Sequence, residues 1–186
     1  LGLVRTGSFT PADGQNLAIP DDAEDADDAV EFPLRSYNGL SGRSSENMAR
    51  ELVAAGKIQA DILPDAPPFL PGWDIAARLM PAHETSGDFY DFIPLEEGLL
   101  AVAVGDVSDK GLPAALFMAM VRSLLRAETH PGRSLQRVVR NVNRHLLDMN
   151  EKEMFVTLLF GVLNSTNRQF QYVRAGHESP MIFDAK

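Results

Sequence analysis

Two aspartates carry the chemistry this sequence offers. Asp88 lies in Ser86-Gly-Asp-Phe-Tyr-Asp91, and Asp106 lies in Gly105-Asp-Val-Ser-Asp-Lys-Gly111. Read as one hairpin with its turn near residue 97, the chain sets Asp88 opposite Asp106 at the open end. Facing positions hold their Cβ atoms about 5 Å apart. Two carboxylates at that distance repel, and a cation between them removes the repulsion. Oxygen donors without His or Cys favour Mg²⁺ or Mn²⁺. Gly87 and Gly105 precede the two acids and allow the backbone to approach closely there. The other reading of the pair is plain: acids end many strands, and one of these is then only a turn cap. Ser108-Asp-Lys-Gly111 followed by Pro113 is a polar loop entering a helix, whose N-terminus favours anions such as phosphate. It is not a P-loop, because the Gly-x₄-Gly-Lys-Ser/Thr spacing is absent.

The elements that must position these acids can be read from periodicity. Met48, Leu52, Ala55, Ile58, Gln59, Ile62 and Leu63 recur at helical spacing from Asn47 until Pro64 stops them. Trp73 to Met80 alternates as a strand does. Asp88–Ile93 and Leu99–Gly105 read as the hairpin strands, joined by Pro94-Leu-Glu-Glu-Gly98. Pro113 to about Glu128 reads as an apolar helix with Pro in its first turn. Ser134 is a good N-cap for a second helix, whose buried stripe is Leu135, Val138, Val139, Val142, Leu146 and Leu147. Phe155–Leu163, Phe170–Val173 and Met181–Phe183 read as strands. The order β-β-β-α-α-β-β-β points to α+β layers with hairpins, not to a parallel βαβ sheet.

The 186 residues bound the chain at one domain plus an extension. The first residue is Leu1, so the true N-terminus is expected to lie upstream. There are no cysteines, which excludes disulfides, zinc thiolates and thiol catalysis. No apolar run is long enough for a membrane span, and a cytoplasmic location is expected. Net charge is −9, and residues 1–47 account for −6 of it through nine acids and three bases. Asp21–Glu31 alone holds seven acids and no base. Such a run repels itself and has little to bury, so 1–47 is expected to be a flexible lead or the end of an upstream sensor domain. The acidic balance argues against nucleic acid as a partner.

Five segments, in order, resemble the PPM metal-dependent Ser/Thr protein phosphatases of the bacterial SpoIIE/RsbU-type branch. They are Ile58-Gln-Ala-Asp-Ile-Leu-Pro64, Gly87-Asp-Phe-Tyr-Asp91, Gly105-Asp-Val-Ser-Asp-Lys-Gly111 with Pro113-Ala-Ala115, Phe155-Val-Thr-Leu158, and Ala175-Gly-His-Glu-Ser-Pro180. The likeness covers residues 48–186. It implies an α-β-β-α sandwich of antiparallel sheets flanked by helices, with 48–63 as a linker helix and 64–186 as the N-terminal two-thirds of the phosphatase domain. It implies that Asp88 and Asp106 are the catalytic metal ligands, with Asp106 bridging two Mn²⁺ or Mg²⁺ ions and the carbonyl of Val107 completing one of them. The ions would activate a water for direct attack on a phosphoserine or phosphothreonine. The implied substrate is a phosphorylated regulatory protein such as an anti-sigma-factor antagonist. An upstream sensor domain and a homodimer through the 48–63 helix are the other partners expected.

The chain departs from that pattern in places. Ser86 and Asp109 stand where the family usually has Gly. The family's later metal carboxylates follow the Ala-Gly-His region, and this chain ends at Lys186 before them. The alternative function is therefore a catalytically incomplete module that binds phosphoproteins or serves as a scaffold.

Several residues near the motifs have open roles. His177 is either a general acid or a turn-holding ring, and His83 either a loop residue or a phosphate contact near the site mouth. Lys110 either faces phosphate or is solvated. Asp91 either supports the metal ligands or pairs with a base. Asp109 is a candidate for holding a metal-bound water. Six arginines lie between 122 and 144, and Arg133, Arg137, Arg140 and Arg144 share one helical face. That face is either solvated or an acidic-partner surface.

Overall fold

The structure, a computed structural model, describes residues 4–5, 45–96, 98–149, 154–181 and 183. The expected flexible lead therefore falls almost wholly outside the described residues. The elements are β1 (Val4–Arg5), α1 (Ser45–Ile62), β2 (Asp74–Ile75), β3 (Phe89–Pro94), β4 (Leu99–Val107), α2 (Leu112–Glu128), α3 (Leu135–Met149), β5 (Val156–Asn164) and β6 (Gln169–Ala175). Strands β3-β4-β5-β6 form a four-stranded antiparallel sheet, and β1 pairs with β2 beside it. The fold is α+β, as the element order predicts.

The sheet has two different faces because strand side chains alternate. On one face Phe89, Ile93, Ala101, Ala103, Val107, Leu158 and Phe160 meet α2 and α3. The helices contribute Phe117, Met118, Val121, Leu125, Val138, Val142 and Leu146 to that core. On the other face Phe92, Leu100, Val102 and Leu163 pack under Leu70 and Trp73, with Ile75 and Ala77 partly buried there. The alternation from Trp73 to Met80 is thus a burial pattern more than a strand. Only Asp74–Ile75 has a ladder partner, and the rest is irregular chain laid over the sheet. The expected strand at 181–183 also fails, because Met181 and Phe183 are exposed and lie in no strand.

Local chemistry explains the helix ends. Pro113 sits in the first turn of α2, and Thr129 closes it by donating both N–H and Oγ1–H to the Leu125 carbonyl. Ser134 caps α3 by accepting the Arg137 N–H at 3.3 Å. Glu128 then ties the two helices together. It accepts from Asn141 at 2.7 Å, pairs with Arg133, and meets His145 Nε2 at 3.4 Å. The Asn141 bond, followed by His145 and Arg133, holds the Glu128 carboxyl below its ordinary pKa.

The α1 helix docks through a narrower strip than its apolar pattern predicts. Gln59 is buried, and Leu52, Ala55, Gly56 and Ile62 are half-buried. Met48 and Ile58 are 60% and 63% exposed, so neither belongs to the buried side. Gly56 marks the closest approach. A Cβ there would stand 1.9 Å from the Glu84 carbonyl oxygen, so only glycine lets the helix lie this close to the 84–86 segment.

Candidate active site

The hairpin register places the two acids as their spacing predicts. Phe89 pairs with Gly105, Tyr90 with Val104, and so on to Pro94 with Leu100. One step beyond, Asp88 faces Asp106. Both project from the sheet face opposite α2 and α3, the parity of Phe92, Leu100 and Val102. Both are exposed. Burial, the Asp106 charge and a carboxyl–carboxylate hydrogen bond with Asp106 raise the Asp88 pKa, and nearby His177 opposes the rise.

The backbone before Asp88 is held from a distance. Gln59 on α1 donates its Nε2–H to the Ser86 carbonyl at 2.6 Å and accepts the Ser86 N–H at 2.9 Å. Ser86 Oγ in turn accepts the Asp88 N–H at 3.0 Å. Serine is at home here because its φ is not positive. A Cβ on Gly87 would lie 2.8 Å from the Val107 carbonyl oxygen. Glycine therefore leaves room between residue 87 and that carbonyl.

On the other side of Asp106, β5 supplies Thr157, its register partner. The Thr157 hydroxyl lies 2.8 Å from His177 Nδ1 and 3.5 Å from the Asp106 carbonyl oxygen. Arg174 on β6 donates from Nη1 to the His177 carbonyl at 3.0 Å. Ser108 closes the loop end: its N–H reaches the Phe155 carbonyl at 2.8 Å, and its Oγ accepts the Phe155 N–H at 3.0 Å.

Of the residues singled out by sequence, Asp88, Asp106, the Val107 carbonyl and His177 come together. Asp109 and Lys110 sit on the adjoining loop, exposed, with no side-chain partner among the described residues. Asp109 has φ 70°, the left-handed region, which explains why glycine suits that position. His83 is exposed and no contact joins it to the acid pair. Asp91 is not part of the site. It faces the helices, fully buried, and binds Arg126 twice at 2.7 Å and Arg122 at 3.1 Å. Its expected alternative, pairing with a base, is the one realised. The arginine run also divides: Arg122 and Arg126 turn inward to Asp91 and Arg133 binds Glu128. Arg137, Arg140 and Arg144 are exposed without an ion pair among the described residues.

Sequence reasoning passed over Gln59, Thr157 and Arg174. Gln59 had a signal, a polar residue on the inner strip of an amphipathic helix, where burial demands partners. Thr157 had one in its parity with the segment that pairs β4. Arg174 had none until the β5–β6 register was known.

A donor set of two facing carboxylates and one nearby backbone carbonyl, all oxygen, fits a hard divalent cation. Among the described residues no group of three or more His, Cys, Asp or Glu converges on one point. No described helix is long and apolar enough to cross a membrane.

Comparison with known proteins finds relatives of this chain. The family model SpoIIE, Stage II sporulation protein E, matches residues 96–186. Protein IcfG of Synechocystis is 36% identical over 163 residues, covering 73% of this chain and 26% of IcfG. Phosphoserine phosphatase RsbU of Bacillus subtilis is 31% identical over 152 residues, covering 82% of this chain and 45% of RsbU. The chain thus spans less than half the length of either relative. The crystal structure of the RsbU and RsbW domains of Rv1364c from Mycobacterium tuberculosis superposes with a TM-score of 0.53 at 30% identity, covering 62% of this chain and 33% of that one. The chain belongs to the SpoIIE/RsbU-type branch of the PPM phosphatase family.

Proposed function

We propose that this chain is catalytic machinery of a metal-dependent phosphoserine or phosphothreonine protein phosphatase. Its substrate would be a phosphorylated cytoplasmic regulatory protein, of the kind that antagonises an anti-sigma factor. One observation carries the reading: Asp88 faces Asp106 at the open end of a sheet, next to the Val107 carbonyl and with His177 close by. A carboxylate pair whose mutual repulsion is uncompensated among the described residues is suited to cation binding and ill-suited to stability. Family membership and the likeness to the phosphoserine phosphatase RsbU point the same way.

In this reading Asp88, Asp106 and the Val107 carbonyl hold Mn²⁺ or Mg²⁺. Bound there, the ions supply an acidified water and neutralise phosphoryl charge. The chain's own residues do the positioning. Gln59 and Ser86 fix the backbone that presents Asp88, and Thr157 orients the His177 ring. The acid pair sits at the mouth of the sheet, where a phosphoseryl side chain on a protein surface can enter.

The test is hydrolysis of a phosphoseryl protein or peptide by the full-length protein with Mn²⁺, compared with Asp106→Ala. Loss of turnover in the variant is expected. Equal rates in both would sink the assignment. A second reading, a phosphoprotein-binding module without turnover, is favoured by the lack of a third converging acid among the described residues. Phosphoprotein binding by a wild type that never turns over would support that reading instead.

A further inference from the structure

We propose that Arg174 is the residue that grips the substrate's phosphoryl group, with the Nε2–H of His177 as a second donor beside it. The proposal rests on the phosphatase reading above. Across the end of the open face the register runs Asp88, Asp106, Thr157, and then β6. Arg174 pairs with Leu159, two positions along β5 from Thr157, so it shares their face. Strands about 5 Å apart put β6 about 10 Å from β4. An extended arginine side chain covers most of that gap, and a phosphoryl group seated between the guanidinium and the acid pair spans the remainder.

The electrostatics call for such a group. A phosphoryl dianion approaching two carboxylates is repelled unless cations stand near it. Three arginines packed beside the sheet are committed: Arg122 and Arg126 to Asp91, Arg133 to Glu128. Arg174 is exposed and has no ion pair among the described residues. A guanidinium carries five N–H donors, and the structure uses Nη1 on the His177 carbonyl. That bond braces the head while leaving the other nitrogens for a phosphoryl group, which guanidinium binds in a two-pronged manner.

His177 is prepared by its neighbour. The Thr157 hydroxyl has one proton and two acceptors within range, Nδ1 at 2.8 Å and the Asp106 carbonyl at 3.5 Å. We assign the proton to the shorter bond. Nδ1 is then an acceptor, so the neutral ring carries its hydrogen on Nε2. Arg174 and Thr157 together hold His177 by its backbone and by its ring. The result is a two-donor corner on β5–β6 facing the acid pair on β3–β4.

The experiment uses the full-length protein, a phosphoseryl peptide with Mn²⁺, and inorganic phosphate as inhibitor. Arg174→Ala and Arg174→Gln should each raise KM and the phosphate inhibition constant at least about tenfold, the worth of one charge-assisted hydrogen bond. The turnover number should fall less. Arg174→Lys should recover part of the loss. Glutamine can still donate to the His177 carbonyl, so a residue with only a bracing role would be rescued by it. Wild-type constants in Arg174→Gln would therefore overturn the proposal, as would values within about twofold of wild type in Arg174→Ala. Failure of the phosphatase reading looks different: Asp106→Ala would then turn over as fast as wild type, or neither would. In that case calorimetric titration with inorganic phosphate decides. Binding that is lost in Arg174→Gln supports the assignment, and equal or absent binding overturns it. Matched thermal melts by circular dichroism establish that each variant is folded.

Discussion

Asp88 and Asp91 stand three residues apart at one end of the same hairpin and live in opposite electrostatic worlds. Asp91 faces the helices, fully buried, and two arginines from α2 plus the Phe92 N–H satisfy its carboxylate. Asp88 faces the open side, exposed, with another acid for its neighbour. Strand parity alone makes the difference, since odd and even positions point to opposite faces. One carboxylate is neutralised inside the chain and serves the fold. The other is left uncompensated and is available for a ligand. A charge's solved or unsolved environment, not its residue type, separates structure from function here.

The largest effect should come from the neutralised acid. Asp91→Ala strands Arg122, whose side chain is 12% exposed, beside an empty partner. Breaking a buried pair in this way costs about 3–5 kcal/mol. Urea denaturation followed by circular dichroism measures it. Arg126→Ala should cost less, because its side chain is 41% exposed and water takes up part of the loss. Equal small effects for both would mean that Asp91 is not the anchor between β3 and α2.

Mutation of the uncompensated pair should do the reverse: little to stability, much to function. In Asp106→Asn, phosphatase activity should fall at least about 100-fold, more than losing an outer support of a metal site costs. Without metal, the same change should flatten the pH dependence of stability. The Asp88 pKa is raised in the folded chain, through burial first and Asp106 next. The folded state therefore holds its proton to higher pH than the unfolded state does. Stability falls as pH rises from the ordinary carboxylate range through the raised value, and stays lower above it. Asp106→Asn removes the charge that causes part of this. Thermal melts between acidic and neutral pH read it out, and Mn²⁺ should raise the wild-type melting temperature but not the variant's. An unchanged pH profile would break the contrast between the two acids.

How much of this was legible in the sequence follows from the same parity. The register of Asp88 against Asp106 was legible because one short turn fixes a hairpin and apolar runs flank it on both sides. The two core helices were legible from period and caps. Asp91 was not resolved by sequence, because its partners Arg122 and Arg126 lie on α2, and nothing local says which face of β3 that helix covers. The chain from Trp73 to Met80 misled for a related reason. Alternating burial looks the same whether a segment is laid over a sheet or paired within one. Arg174 became visible only when β5 and β6 were in register.

Between the two extremes lies Gln59, which is buried like Asp91 but serves the site like Asp88's neighbours. It makes both side-chain hydrogen bonds to the Ser86 backbone. Gln59→Ala leaves the Ser86 N–H and carbonyl without these partners, and should cost about 1–3 kcal/mol. The loss should appear as local opening of 84–88, with faster amide exchange there than in the β4–β5 ladder. Uniform exchange across the sheet would mean that α1 does not brace Asp88.

The smallest effect is expected at Asp109, the residue just past the acid pair with a strained backbone. Its φ of 70° is left-handed, where a Cβ crowds the following carbonyl. Aspartate tolerates that region better than most residues, and glycine adds entropy to the unfolded chain. The two terms oppose, so Asp109→Gly should stabilise by no more than about 0.5–1 kcal/mol. Asp109 also adds a negative charge to the loop that follows Asp106. Its removal should tighten phosphate inhibition slightly and weaken with added salt. Asp109→Asn separates the terms, since asparagine accepts the same φ without the charge. If Asn and Gly tighten phosphate alike while only Gly stabilises, the charge acts on the ligand and the backbone acts on the fold. If Asn alters neither, the loop carboxylate is solvated, and the uncompensated charge of this surface belongs to Asp88 and Asp106 alone.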